Sequence, residues 1–132
     1  MKKLMLFVLS LLATTGFTEN LILENQTSYP LKGQKSRIAV QWATSAKEVQ
    51  ENNLALMNGF KMNPDTLLVI SRAGKVMLNI PKKAEYFRVL AWSKGEGEPD
   101  LHTNWVDVVP NKTYTLEADH LVPSVLMLGT GC

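Results

Sequence analysis

At 132 residues the chain is long enough for one domain with one apolar core and short for two. Its 14 Lys and Arg against 12 Asp and Glu become 12 against 12 once Lys2 and Lys3 leave with an N-terminal leader, so no general pull toward nucleic acid or anionic membrane is expected. The single cysteine, Cys132, excludes an intramolecular disulfide, and the fold must rest on its core.

Lys2-Lys3 forms a positive n-region, Leu4 to Ala13 a short apolar h-region, and Thr14-Thr15-Gly16 supplies the small residues a signal peptidase requires. Residues 1–16 are therefore predicted to be a signal peptide cleaved after Gly16, leaving a mature domain at 17–132 in the periplasm or outside the cell. The short n-region favours a bacterial source. The h-region is about half the length of a membrane span, and no later segment qualifies as one. No cysteine stands near the cleavage site, which argues against a lipoprotein.

Along the mature chain, Asn20 to Glu24 reads as a short strand, followed by a polar turn and an edge position at Pro30. Ser36 to Ala43 alternates Ile38, Val40 and Trp42 against Arg37, Ala39 and Gln41, which predicts a half-buried strand. Thr44 to Phe60 is the helical piece. Thr44 or Ser45 caps it, Glu48 completes a capping box, and Val49, Asn53, Leu56 and Phe60 share a face with Leu54 and Met57 nearby. Gly59 ends it.

Asp65 to Trp92 carries the strongest strand signal. Leu67 to Ser71 is a branched apolar run, Ala73-Gly74 predicts a hairpin turn, and Lys75 to Ile80 sets Val76, Leu78 and Ile80 against Lys75, Met77 and Asn79. After Pro81, Glu85 to Trp92 puts Phe87, Val89 and Ala91 on one side and Tyr86, Arg88, Leu90 and Trp92 on the other. Neither side is polar throughout, so this strand is placed centrally with both faces covered.

Ser93 to Thr103 reads as the longest and most mobile loop. Trp105 to Val109 and Thr113 to Ala118 follow as strands joined by a turn at Pro110-Asn111-Lys112, with Tyr114, Leu116 and Ala118 inward. Val122 to Leu128 makes a last strand, and residues 129–132 a flexible tail. About 7–8 short strands with one helical crossover predict an all-β fold, an immunoglobulin-like β-sandwich, with a small β-barrel as the alternative.

The two histidines have acidic neighbours, Asp100 beside His102, and Glu117 and Asp119 beside His120, but match no compact metal motif, so no metal is expected. No G-x-S-x-G elbow, H-E-x-x-H or phosphate-binding glycine loop is present, and no cofactor is expected. Two N-x-T sequons, at Asn25 and Asn111, fall in turns. Tyr86, Arg88 and Trp92 share one strand face and Trp105 and Asp107 another. If those strands are neighbours, Arg88 can pair with Asp107 between the rings, either as a structural salt bridge with cation–π packing or as a recognition patch bordered by His102. Trp92 and Trp105 are the aromatics expected to be exposed.

The leading functional expectation is an exported, non-enzymatic module that binds a protein partner through loops and this aromatic and arginine patch. A carbohydrate- or lipid-binding sandwich with Trp92 and Trp105 as a stacking platform is the first alternative, and a small secreted hydrolase the second. Cys132, alone on its tail, is a candidate for an intermolecular disulfide between two copies.

Overall fold

The fold is described from a computed structural model covering residues 19–30, 36–59, 62–95 and 97–124. In chain order these form β1 (Asn20–Asn25), β2 (Arg37–Ala43), α1 (Ala46–Met57), β3 (Leu67–Val69), β4 (Gly74–Asn79), β5 (Tyr86–Trp92), β6 (Leu101–His102), β7 (Val106–Asp107), β8 (Thr113–Leu116) and β9 (Val122–Pro123). Single 3-10 turns stand at Pro64–Thr66 and Ala118–His120. The expected leader, the expected tail with Cys132 and residues 125–128 of the expected last strand lie outside the described residues. No helix among the described residues is long and apolar enough to cross a membrane.

The strands make a sandwich of two sheets. One has the order β4-β1-β8, with β1 and β8 parallel, and the other the order β3-β2-β5-β6-β9, with β7 also paired to β5. The all-β sandwich with one short helix is thus the observed architecture. The barrel alternative is not, because the described strands fall into two separate sheets.

Between the sheets lies the main core, built on Leu21, Leu23, Ile38, Val40, Trp42, Leu78, Phe87, Val89 and Leu116. A second, smaller core sits on the opposite face of the larger sheet, where Ala39, Leu56, Met62, Leu90 and Trp92 pack beneath α1. This second layer corrects the half-buried reading of β2: Ala39 and Gln41, expected to face solvent, are buried because α1 covers them. β5 is buried on both faces from Phe87 to Trp92, as its sequence requires.

The hairpin expected at Ala73-Gly74 is absent, and the three central strands do not pair with one another. β3 pairs with β2, β4 with β1, and β5 with β2. The Ile70 N–H still bonds Ile38 O at 2.9 Å, extending the β3 ladder, before the chain crosses to the other sheet through Gly74 at φ +87°. Glycine is suited to that left-handed geometry, so the turn signal was real, but it marks a change of sheet.

Ser45 caps α1 by accepting from the Glu48 N–H at 3.2 Å, and Glu48 accepts from the Thr44 N–H at 2.8 Å. Of the expected apolar stripe Leu56 is buried, Val49, Asn53 and Met57 are half-buried and Leu54 is 55 % exposed, while Phe60 lies outside the described residues. The Ser93–Thr103 segment carries internal hydrogen bonds and a short strand. Asp100 accepts from the Ser93 N–H and hydroxyl, the Asp100 N–H bonds Ala91 O, and β6 falls within it. Ala118 is exposed and opens the second 3-10 turn instead of ending β8 inward. Asn25 is buried, with its amide nitrogen donating to Tyr29 O at 2.8 Å, so the first sequon is closed to modification in the folded chain.

Candidate functional site

Two structural features bear on function, one on each face of the centre of β5. The first begins with a one-residue irregularity. Leu90 is opposite His102 while Phe87 is opposite Val106, so Thr103, Asn104 and Trp105 face only Arg88 and Val89. This is a β-bulge, and bulges bend a strand and re-aim its side chains. Thr103 holds it: its N–H bonds Val89 O at 2.9 Å, and its hydroxyl accepts from the Val89 N–H at 2.9 Å. With the extra residue inserted, His102 and Trp105 both come to the face that carries Arg88.

On that face Arg88 is fully buried, at 0 % exposure. Its Nε donates to Gln41 Oε1 at 2.8 Å, Nη1 to Asn53 Oδ1 at 2.9 Å and Nη2 to Asn52 O at 3.1 Å. The guanidinium stacks on the Trp105 ring, 4.6 Å from its centroid. Burial pushes the Arg88 pKa down to about 10. The expected pairing with Asp107 does not form: β5 and β7 are neighbours, but the register sets the exposed Asp107 opposite Tyr86. Neutral amides and a ring satisfy the charge in place of a carboxylate.

The remaining residues of the expected patch are dispersed or covered. Trp92 is 5 % exposed, donates to Gly97 O at 2.9 Å and lies under Arg37, whose guanidinium is 4.6 Å from the ring centroid. Tyr86 and Trp105 are half-buried. His102 is buried, with Nδ1 3.3 Å from Ser124 Oγ, and burial followed by the Arg88 charge lowers its pKa. The group therefore anchors α1 to the sheet and offers no stacking platform. Asn53, a polar break in the helical stripe, was the sequence signal for it.

The second feature is a cleft of about 370 Å³ between the sheets, at the side where β8 faces the bulge. Core residues Leu23, Phe87, Val89 and Leu116 form its floor, and Thr103, Asn104, Val106, Thr115, Asp119 and His120 its walls and rim. Tyr114 closes one end, its ring edge-on to Phe87 at 4.8 Å and its hydroxyl donating to Asp107 O and accepting from the Val109 N–H. Val106 lies opposite Phe87 on the inner face, yet is 39 % exposed, and no described strand of the smaller sheet covers it. An apolar floor with a few polar groups around it is the usual make-up of a binding pocket.

The chain matches no family model and no curated protein.

The hydroxyls that line the cleft already hold partners. The Thr103 hydroxyl donates to Asn104 O, the Thr115 hydroxyl to Glu24 Oε1, and the Tyr114 hydroxyl to Asp107 O, so each lining hydroxyl is engaged. Glu117, Asp119 and His120 gather at the rim with ligand atoms within 4.8 Å of one another, all of them exposed. His120 Nδ1 accepts from the Glu117 N–H at 3.0 Å, which explains the cluster as a structured turn. The two histidines stand apart in role, since Asp100 is bonded to Ser93 and His102 to Ser124. Sequence alternation placed Tyr114 and Leu116 inward correctly, but nothing in it signalled that the seam beside them stays open.

Proposed function

We propose that the chain is an exported, non-enzymatic binding module that engages a protein partner at the inter-sheet cleft. The observation that carries this reading is the exposure of inner-face Val106 over a floor of core side chains. Apolar surface on the inner face of a sheet is normally covered, and leaving it open is a cost that a partner's contact offsets. The leader at residues 1–16 supports export, and its short n-region supports a bacterial source. The engaged hydroxyls count against the hydrolase reading.

A second reading, a small apolar ligand, is favoured by the cleft volume, which falls at the lower end of ligand pockets. The carbohydrate platform loses its support because Trp92 is covered.

A photo-crosslinking residue at Asn104, in protein expressed in its native host, should yield one discrete protein adduct. The same residue at Met77, exposed on the outer face of β4, should not. Identical adducts from both positions, or none from Asn104, would overturn the reading.

A further inference from the structure

We propose that the cleft is a strand position that no described strand fills: the partner contributes an extended segment that adds to the edge of β8 left unpaired among the described strands. This rests on the cleft being the binding site and specifies how it is filled.

Among the described residues the smaller sheet ends at β8 after three strands, whereas the larger sheet continues past β5 to β6, β7 and β9. β8 pairs with β1 through Lys112 O, which accepts from the Ile22 N–H at 2.9 Å, and Leu116 O, which accepts from the Gln26 N–H at 2.8 Å. Strand geometry alternates the direction of successive peptide groups. The N–H and C=O of Thr113 and Thr115 therefore point away from β1, and Thr115 lines the cleft. A strand hydrogen-bonded there would lie above Val106 and cover the inner face that the smaller sheet leaves bare. Main-chain bonds to an exposed edge, with pockets for alternate side chains, are an established mode of peptide recognition.

The described chain does not fill the position itself. β9 runs from Val122, opposite His102, to Pro123, opposite Leu101, and so leads away from the bulge. Ser124 is then fixed by its N–H to Asp100 O and its hydroxyl to Pro99 O. A segment from another protein fits the observations best. Its inward residues must be apolar and small enough for a 370 Å³ cleft. The exposed carboxylates of Glu117 and Asp119, just past the C-terminal end of β8, favour a basic residue at the neighbouring end of the segment.

The test uses hydrogen exchange followed by nuclear magnetic resonance. Two probes are added to the full chain: a nine-residue synthetic peptide of alternating Val and Thr with a Lys at each end, and the apolar dye anilinonaphthalene sulfonate. The peptide should slow exchange at the Thr113 and Thr115 amides by about tenfold or more, and leave Tyr114 and Leu116, already bonded to β1, nearly unchanged. Thr113→Pro, at a residue outside the cleft lining, removes an outward N–H and should abolish the peptide effect at Thr115 while preserving dye binding. The wild-type measurement stands alone if that variant does not fold. If the dye shifts Phe87, Val89 and Leu116 while the peptide protects neither threonine amide, strand addition is overturned and the cleft reading survives. If neither probe perturbs those residues, both fall.

Discussion

The guanidinium of Arg88 and the indole of Trp105 stack 4.6 Å apart, and both donate to the same atom, Asn53 Oδ1, at 2.9 Å each. Three elements distant in sequence, α1, β5 and the bulge, thus meet at one amide oxygen. The bulge is what makes this possible, since without its extra residue His102 and Trp105 would face opposite sides of the sheet.

Arg88→Ala should destabilise the fold by about 3 to 5 kcal/mol, because it removes charge-assisted hydrogen bonds and leaves the buried Gln41 oxygen without a donor. Arg88→Lys keeps the charge and loses the planar fork, so it should recover less than half of that difference. Urea denaturation measures both, and an alanine loss under about 1 kcal/mol would show the cluster to be incidental.

Stability should fall as pH drops from about 7 toward 5, through the ordinary histidine range. Burial and Arg88 depress the His102 pKa, so the unfolded chain binds a proton before the folded one does. The contribution is fully present above the unfolded value of 6.5 and is lost below it, toward the lower folded value. His102→Gln should flatten denaturation midpoints across that window, and an unchanged slope would exclude His102 as the cause.

Leu56→Ala should cost about 2 to 5 kcal/mol, whereas Leu54→Ala should stay within about 0.5 kcal/mol of wild type. The first side chain is in the second core and the second is exposed. Equal effects would mean that α1 is rotated about its axis.

Phe87→Ala should cost about 3 to 5 kcal/mol, since the ring is buried against Trp42 and Tyr114. The same substitution removes part of the cleft floor, so dye binding should weaken in parallel. Unaltered dye affinity in a folded variant would place the dye elsewhere.

Protein recovered from its native host should begin at or near Phe17 by mass spectrometry. An intact Met1 on the protein from the cytoplasm would contradict export.

The sequence by itself determined much of the local structure. Period-two alternation located β2, β4, β5 and β8, and the two apolar faces of β5 implied a strand covered on both sides. Ser45 and Glu48 fixed the start of α1, and Asn111 takes the positive φ its turn needs. These signals are local, so one segment is enough to read them.

Pairing and exposure were decided only by the tertiary structure. The run from β3 to β5 looks like a meander, but alternation specifies a face and not a neighbour, and the chain changes sheets at Gly74. Ala39 and Gln41 are buried because α1 packs over them, a contact their own strand pattern does not encode. The open seam arises because, among the described residues, the smaller sheet stops at β8 while the larger continues to β9. Sheet width is a property of the whole set of strand pairings, which no single stretch of sequence contains.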